Sequence, residues 1–269
     1  MPSVLLTESI AVEMGAMEPW PEDARLYQPS EYMQILLPDY TNCLSIQAFL
    51  RMCCLKYRVV MRKNAEHMSP SGHVPFLKCG AFVISEIDPI IAFVNTKGIH
   101  LSQHLDGAQK ADMRAYMALI NVVLGNAELY VSWCHNATVN EKTKPRCLSV
   151  YPWPLNYFLY WQKKSVMKSK LASNHWLDKT LDEVYEEVTS CCHALSERLG
   201  KQAYFFGTKP TELDALVYGH LMGILTTALP DNGLASIVRN FENLLKLVSR
   251  IDTQYFRQNE NLYDSPLEE

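Results

Sequence analysis

The stretch on which the fold turns is Ser71-Gly72-His73-Val74-Pro75-Phe76-Leu77-Lys78-Cys79-Gly80-Ala81-Phe82-Val83-Ile84. Ser69-Pro70-Ser71-Gly72 concentrates turn-forming residues. Val74–Leu77 and Ala81–Ile84 are two short apolar runs joined at Cys79-Gly80, which reads as a hairpin. A proline at the start of a strand is tolerated where the ladder does not need its N–H, and Pro75 stands at such a place. After the hairpin, Ile87–Val94 reads as a short helix closed by Gly98. Working upstream, Tyr57–Met61 is rich in strand formers, and Cys43–Leu55 is apolar at helical spacing through Leu44, Ala48, Phe49 and Met52. Thr41 or Asn42 is the expected cap of that helix. Met33–Leu37 is a short apolar run suited to a buried strand, broken by Pro38-Asp39. The order is β-α-β, a connection, then β-β-α. Residues 1–30, with Pro19, Pro21 and Pro29, lack sustained periodicity and read as an arm whose Trp20 packs onto the body.

Beyond residue 100 the strand signal vanishes. Lys110–Ala137 is a long helical segment, with Met113, Met117, Ile120, Leu124 and Ala127 at steps of three and four. Asn140–Tyr160 reads as irregular and aromatic. Leu177–Leu199 carries the strongest amphipathic stripe, with Thr180 and Glu183 spaced as a capping box and Gly200 as the stop. Leu213–Leu229 is nearly all apolar, as befits a central buried helix, and Leu234–Phe256 is again amphipathic. The expected class is therefore α/β plus all-α. A thioredoxin-like sheet domain (31–99) precedes an all-helical domain (100–257) and a flexible acidic tail (258–269). That architecture resembles the glutathione-transferase fold. In that fold the proline at the position of Pro75 is cis, and the backbone before it holds the ligand's cysteinyl part. Thr211-Glu212-Leu213-Asp214 adds a second mark: Thr211 and Asp214 can satisfy each other's orphan groups as a capping box, a structural role.

Composition narrows the function classes. The chain has 269 residues, 48% hydrophobic and 20% charged, with net charge −4, which excludes wholesale disorder and argues against capture of nucleic acid by the whole chain. None of the eight cysteines forms a C-x-x-C pair, and they read as reduced, mostly buried residues. Residues 1–24 hold Glu8, Glu13, Glu18, Glu22 and Asp23 and no Lys or Arg, unlike a secretory signal or a matrix presequence. The longest apolar stretch, Ala215–Leu229, is interrupted by His220 and falls short of the roughly 20 residues a spanning helix needs.

Catalytic signals are sparse. No metal-ligand spacing, Gly-rich phosphate loop, H-E-x-x-H or G-x-S-x-G occurs, so neither metal nor cofactor is expected. Glutathione transferases place an acid or amide followed by serine at the start of the helix after the hairpin. Here the pair is Glu86-Ile87; Glu86 fits, Ile87 cannot donate, and a one-residue shift brings Ser85 nearer. After the first strand, Tyr40, Cys43 and Ser45 lie where such enzymes activate a thiol. Tyr40 is the candidate activator and Cys43 the candidate nucleophile at a helix start.

Five segments resemble the metaxin family: Glu18–Glu22 (E-P-W-P-E), Val59–Gly72 with its N-A-E-H-M-S-P-S-G, Tyr151–Asn156 (Y-P-W-P-L-N), Cys191–Gly200 and Pro210–Tyr218. The resemblance runs from about residue 18 to about residue 257. It implies a glutathione-transferase-like fold without established catalysis and peripheral attachment to the cytosolic face of the mitochondrial outer membrane. It also implies pairing with a membrane-anchored metaxin-1-like subunit and work with the β-barrel insertase of the sorting and assembly machinery. Mitochondrial transport adaptors are further implied partners. The competing expectations are a glutathione-dependent transferase or reductase using Tyr40 or Cys43, and a docking module of the kind found in translation factors.

Two surfaces are candidates for contact. Tyr151, Trp153, Tyr157, Phe158, Tyr160 and Trp161 crowd eleven positions; Tyr151, Trp153, Tyr157 and Trp161 are the candidate partner-binding residues, since aromatics are enriched at hot spots. From Lys142 to Lys179 there are eight Lys or Arg against one acid, Asp178. Lys163, Lys164, Lys168 and Lys170 are the candidates for anionic lipid headgroups.

Overall fold

A computed structural model describes residues 19–30, 35–257 and 267–268. Strands β1 (Arg25–Gln28), β2 (Arg58–Met61), β3 (Phe76–Cys79) and β4 (Phe82–Ser85) form one sheet, and β5 (Leu267–Glu268) adds along β2, in the order β4-β3-β1-β2-β5. β1 and β2 are parallel, whereas β3 runs antiparallel to both β1 and β4. A parallel pair needs a long crossover, and α1 (Leu37–Met52) supplies it. Alternation along the strands makes two faces. Leu26 and Leu77 are buried in the main core with Ile46, Phe49 and Leu50 of α1, and with Ile90 and Val94 of α2 (Ile87–Thr96). Tyr27, Val60, Val74 and Phe76 form a second cluster with Ala65. There the Tyr27 and Phe76 rings stack with centroids 4.8 Å apart.

The helical part begins with α3 (Gly107–Trp133), whose N-cap Asp106 accepts from the Gln109 N–H at 2.7 Å. It continues through α4 (Leu155–Ser173), α5 (Leu181–Leu199), α6 (Glu212–Thr226), α7 (Gly233–Arg239) and α8 (Glu242–Ile251). The capping box of α5 forms: the Thr180 N–H donates to Glu183 Oε2 at 2.6 Å, and the Glu183 N–H returns to Thr180 Oγ1 at 3.3 Å. α6 is buried on every side and packs against α1 with almost no spacing. Gly219 makes this possible, because a Cβ there would lie 2.6 Å from Ser45 Cα. Asp214 closes the start of α6. Its carboxylate accepts from the Thr211 N–H (2.8 Å), the Thr211 hydroxyl (2.7 Å) and the Phe205 N–H (3.0 Å), so the cap also ties α6 to the preceding loop.

Several elements differ from their sequence expectation. The first strand is Arg25–Gln28, inside the stretch read as an arm, and not Met33–Leu37. It carries only two apolar side chains, and its buried Gln28 is accommodated by Gln47, whose Nε2 donates to Gln28 Oε1 at 3.0 Å. Residues 33 and 34 lie outside the described residues, and Leu37 already belongs to α1. Pro38 sits in the first turn of that helix, where its missing N–H is harmless, so α1 starts without Thr41 or Asn42 as a cap. Much of 140–160 is helical rather than irregular, with a helix at Lys144–Leu148 and α4 from Leu155. The segment 234–256 is broken between Arg239 and Glu242 into α7 and α8. Of the tail, 258–266 lies outside the described residues, while Leu267 and Glu268 pair with Val60 and Met61. Trp20 packs as expected: its Nε1 donates to the Lys56 carbonyl at 2.8 Å and its ring lies 6.5 Å from Phe93. Among the described residues no disulfide joins the cysteines; Cys43, Cys79, Cys191 and Cys192 are buried and Cys54 is exposed.

Candidate functional site: an interdomain cleft and an outward aromatic face

Between the sheet and the helices lies a cleft of about 370 Å3. The turn before β3 supplies His73, Val74 and Pro75, and the start of α2 supplies Glu86–Asp88. α1 supplies Asp39, α3 supplies Glu128, α4 supplies Lys163 and Lys170, and α6 supplies His220. The Val74–Pro75 peptide bond is cis. Glu86 caps α2 with φ of 70°. Ile87 offers no donor at the next position, and Ser85 is turned away, its Oγ donating to Ser71 Oγ at 2.8 Å.

The thiol-activating candidates do not reach this cleft. Cys43 and Ser45 are fully buried within α1, and the Ser45 hydroxyl donates to the Thr41 carbonyl at 2.8 Å. Tyr40 is half-buried and, among the described residues, is not part of the cleft lining. The reason is the early start of α1. Cys43 falls two turns into the helix, on its core side, and not at the exposed N-terminus where a thiolate would be stabilised.

A buried polar relay lies beneath these candidates. The Thr41 hydroxyl donates to Glu128 Oε2 at 2.7 Å, and Glu128 Oε1 lies 2.7 Å from His220 Nδ1. Glu128 is 1% and His220 2% exposed. His220 Nε2 has no hydrogen-bond partner among the described residues. The signal was present: Glu128 interrupts the apolar stripe of α3, and His220 the apolar run of α6. The relay joins α1, α3 and α6 at the base of the cleft.

The basic segment divides. Lys163 Nζ lies 2.6 Å from Glu66 Oε2 and 3.8 Å from Asp39 Oδ2, tying α4 to the sheet domain. Burial alone would lower the pKa of its ammonium, but the two carboxylates outweigh it and hold it raised. Burial likewise raises Asp39, with Lys163 opposing. Lys163 is therefore a tie between α4 and the sheet domain. Lys170 is exposed but borders the cleft. Lys168 is exposed on the outer side of α4, and Lys164 lies 5.6 Å from the Trp161 ring centroid.

The aromatic segment also divides. Tyr160 is buried and stacks on Trp133, with centroids 6.3 Å apart. Tyr151 is half-buried, edge-on to His67 at 5.6 Å. Trp153, Phe158 and Trp161 are 78%, 67% and 64% exposed, and Leu155, Tyr157 and Val166 join them. The expected set thus separates into Trp153, Tyr157 and Trp161 on the outer face and Tyr151 away from it. Among the described residues no group of three or more His, Cys, Asp or Glu is placed to hold a metal. None of the described helices is by itself long and apolar enough to cross a bilayer.

Known proteins align with this arrangement. A family model described as an outer mitochondrial membrane transport complex protein matches residues 43–164, and one for the glutathione S-transferase C-terminal domain matches residues 188–251. The structure of glutathione S-transferase III in its apo form superposes with a TM-score of 0.55 at 14% identity, covering 92% of this chain and all of that one, which supports the fold alone. Mouse (Mus musculus) metaxin-1 is 31% identical over 70% of this chain and 62% of its own length. Mouse metaxin-2 is 53% identical over 94% of this chain and 96% of its own length. With identity of that level over nearly the full length of both sequences, the chain belongs to the metaxin family.

Proposed function

We propose that the chain is a non-catalytic subunit of protein import at the mitochondrial outer membrane. On this reading it is held peripherally on the cytosolic face by a metaxin-1-like anchored partner and serves the sorting and assembly machinery that inserts β-barrel proteins. The observation that carries the proposal is the 53% identity to mouse metaxin-2 over 94% of the chain, beside a family model described by outer mitochondrial membrane transport. The site chemistry supports it: Cys43 and Ser45 are sealed in the core, and Ile87 replaces the hydroxyl a γ-glutamyl carboxylate would need.

The test is a crosslinking pull-down of the tagged chain from intact mitochondria, paired with import of a β-barrel precursor into mitochondria depleted of it. Recovery of a metaxin-1-like subunit and the insertase, with slowed insertion, is expected. Unimpaired insertion and recovery of neither would overturn the proposal. A glutathione-dependent activity is the second reading, favoured by Val74, Pro75 and Glu86 lining one cleft between the sheet and the helices. It predicts retention on glutathione resin and turnover of a thiol-conjugation substrate.

A further inference from the structure

We infer that the outer face of α4, with the turn before it, docks directly on an anionic phospholipid surface by placing aromatic side chains in the bilayer interface. Trp153, Leu155, Tyr157, Phe158 and Trp161 are all exposed within nine positions. Tyr157, Trp161, Lys164 and Lys168 follow steps of four, three and four, so they share one helical stripe, and Phe158 stands beside it. Solvent-exposed apolar side chains scattered singly need no explanation, but five within nine positions, three of them large aromatics more than 60% exposed, mark a contact surface.

Charge decides between the possible contacts. α4 contains four lysines and no acidic residue, within a chain of net charge −4. The structure sorts those lysines. Lys163 is neutralised by Glu66 and Asp39, and Lys170 borders the cleft, whereas Lys164 and Lys168 continue the aromatic stripe. Lys164 lies 5.6 Å from the ring centroid of exposed Trp161 and 5.7 Å from that of buried Tyr160, so the cation sits beside the outward aromatic. Tryptophan and tyrosine at headgroup depth with lysine beside them is the chemistry of a helix lying in a membrane interface. The aromatics supply the apolar part of the contact, and the lysines supply attraction to anionic headgroups. This assignment goes beyond the import reading and does not require it, because it concerns the purified chain and lipid alone.

The experiment is flotation of the full-length purified chain with phosphatidylcholine vesicles, with and without phosphatidylserine. It is read together with tryptophan emission and its quenching by brominated lipid. Trp133 and Trp176 are buried and Trp20 is half-buried against Phe93, while Trp153 and Trp161 are exposed, so a blue shift on vesicle addition reports mainly the proposed face. Binding stronger on the anionic vesicles, with a blue shift and quenching, is the expected result. The triple variant Trp153→Ser, Phe158→Ser, Trp161→Ser should weaken partition by about tenfold or more. Reversing Lys164 and Lys168 to Glu should weaken binding to anionic vesicles by about fivefold or more per charge and leave the weaker neutral binding in place. Circular dichroism confirms that each variant is folded, and the quenching experiment on the unmodified chain stands if one is not. Failure to float on either vesicle, absence of quenching, or a folded triple variant that floats like the unmodified chain overturns the assignment. So does loss of capture of a purified metaxin-1-like subunit by the triple variant when no lipid binding is found, which makes the face a protein interface.

Discussion

Replacing Asp214 by alanine is the most severe single change that the geometry of α6 predicts. Asp214, Thr211 and Phe205 are all fully buried. The variant leaves two backbone N–H groups, those of Thr211 and Phe205, without their acceptor, and also removes the partner of the Thr211 hydroxyl. A buried donor left unsatisfied costs about 1–3 kcal/mol. Two of them, with the overlapping loss of the cap itself, give a destabilisation of about 3–5 kcal/mol. That is a large fraction of the roughly 5–15 kcal/mol a domain has in total, and at this size it lowers Tm by several degrees or more. Asp214→Asn keeps one carbonyl acceptor and should cost less.

Ionisation gives the same residue a second signature. Burial pushes the Asp214 carboxyl up from 3.8 to about 6, against the hydrogen bonds that favour its charged form. Between those values the folded state holds the proton that the unfolded chain has released. Stability from this group is therefore greatest below pH 3.8, falls as pH rises toward 6 and is level above. The stability difference between the unmodified chain and Asp214→Asn should shrink across that window by an amount on the order of 3 kcal/mol. Urea unfolding followed by circular dichroism at several pH values measures both quantities. A loss below about 1 kcal/mol for Asp214→Ala, beneath the cost of even one unsatisfied buried donor, would refute the reasoning.

Gly219→Ala should destabilise by about 2 kcal/mol or more despite alanine's better helix propensity, because the added Cβ meets the Ser45 backbone. Gly125→Ala, with nothing within 4 Å of its Cβ, is the control and should stabilise by about 0.5–1 kcal/mol; equal effects in thermal melts would contradict the close-packing account. Lys163→Ala removes the partner of Glu66 and of Asp39 at a half-buried site and should cost about 1–3 kcal/mol in urea unfolding, whereas Lys168→Ala should be near neutral. In Ellman titration of the native chain, Cys54 should react and Cys54→Ser should remove that phase. Cys191 and Cys192, pushed up to about 12 by burial, should react only on unfolding; early modification of that pair would mean the α5 core opens readily.

Where a signal is local, it was legible. The hairpin at Cys79-Gly80, the Thr180–Glu183 box and the Thr211–Asp214 cap each depend on residues a few positions apart, and each forms. The apolar stripe of α5 reports its burial through periodicity, and the nearly continuous apolar run of α6 reports burial on all sides. The amino-acid order by itself thus determined a small β-α half followed by helices, as well as the family.

Partners distant in the chain decided the remainder. β1 is a strand because β2 and β3 flank it and Gln47 satisfies Gln28, not because Arg25-Leu26-Tyr27-Gln28 is strongly apolar. Lys163 resembles its neighbours in sequence, and its distant partners Glu66, 97 positions away, and Asp39 separate it from them. The Glu128–His220 contact spans 92 positions. The sorting of the α4 aromatics, with Tyr160 inward on Trp133 and with Phe158 and Trp161 outward, follows from which side of α4 meets the rest of the protein. Helix periodicity fixes which side chains share a face, but burial of that face is a free energy of contact with elements the local sequence does not contain.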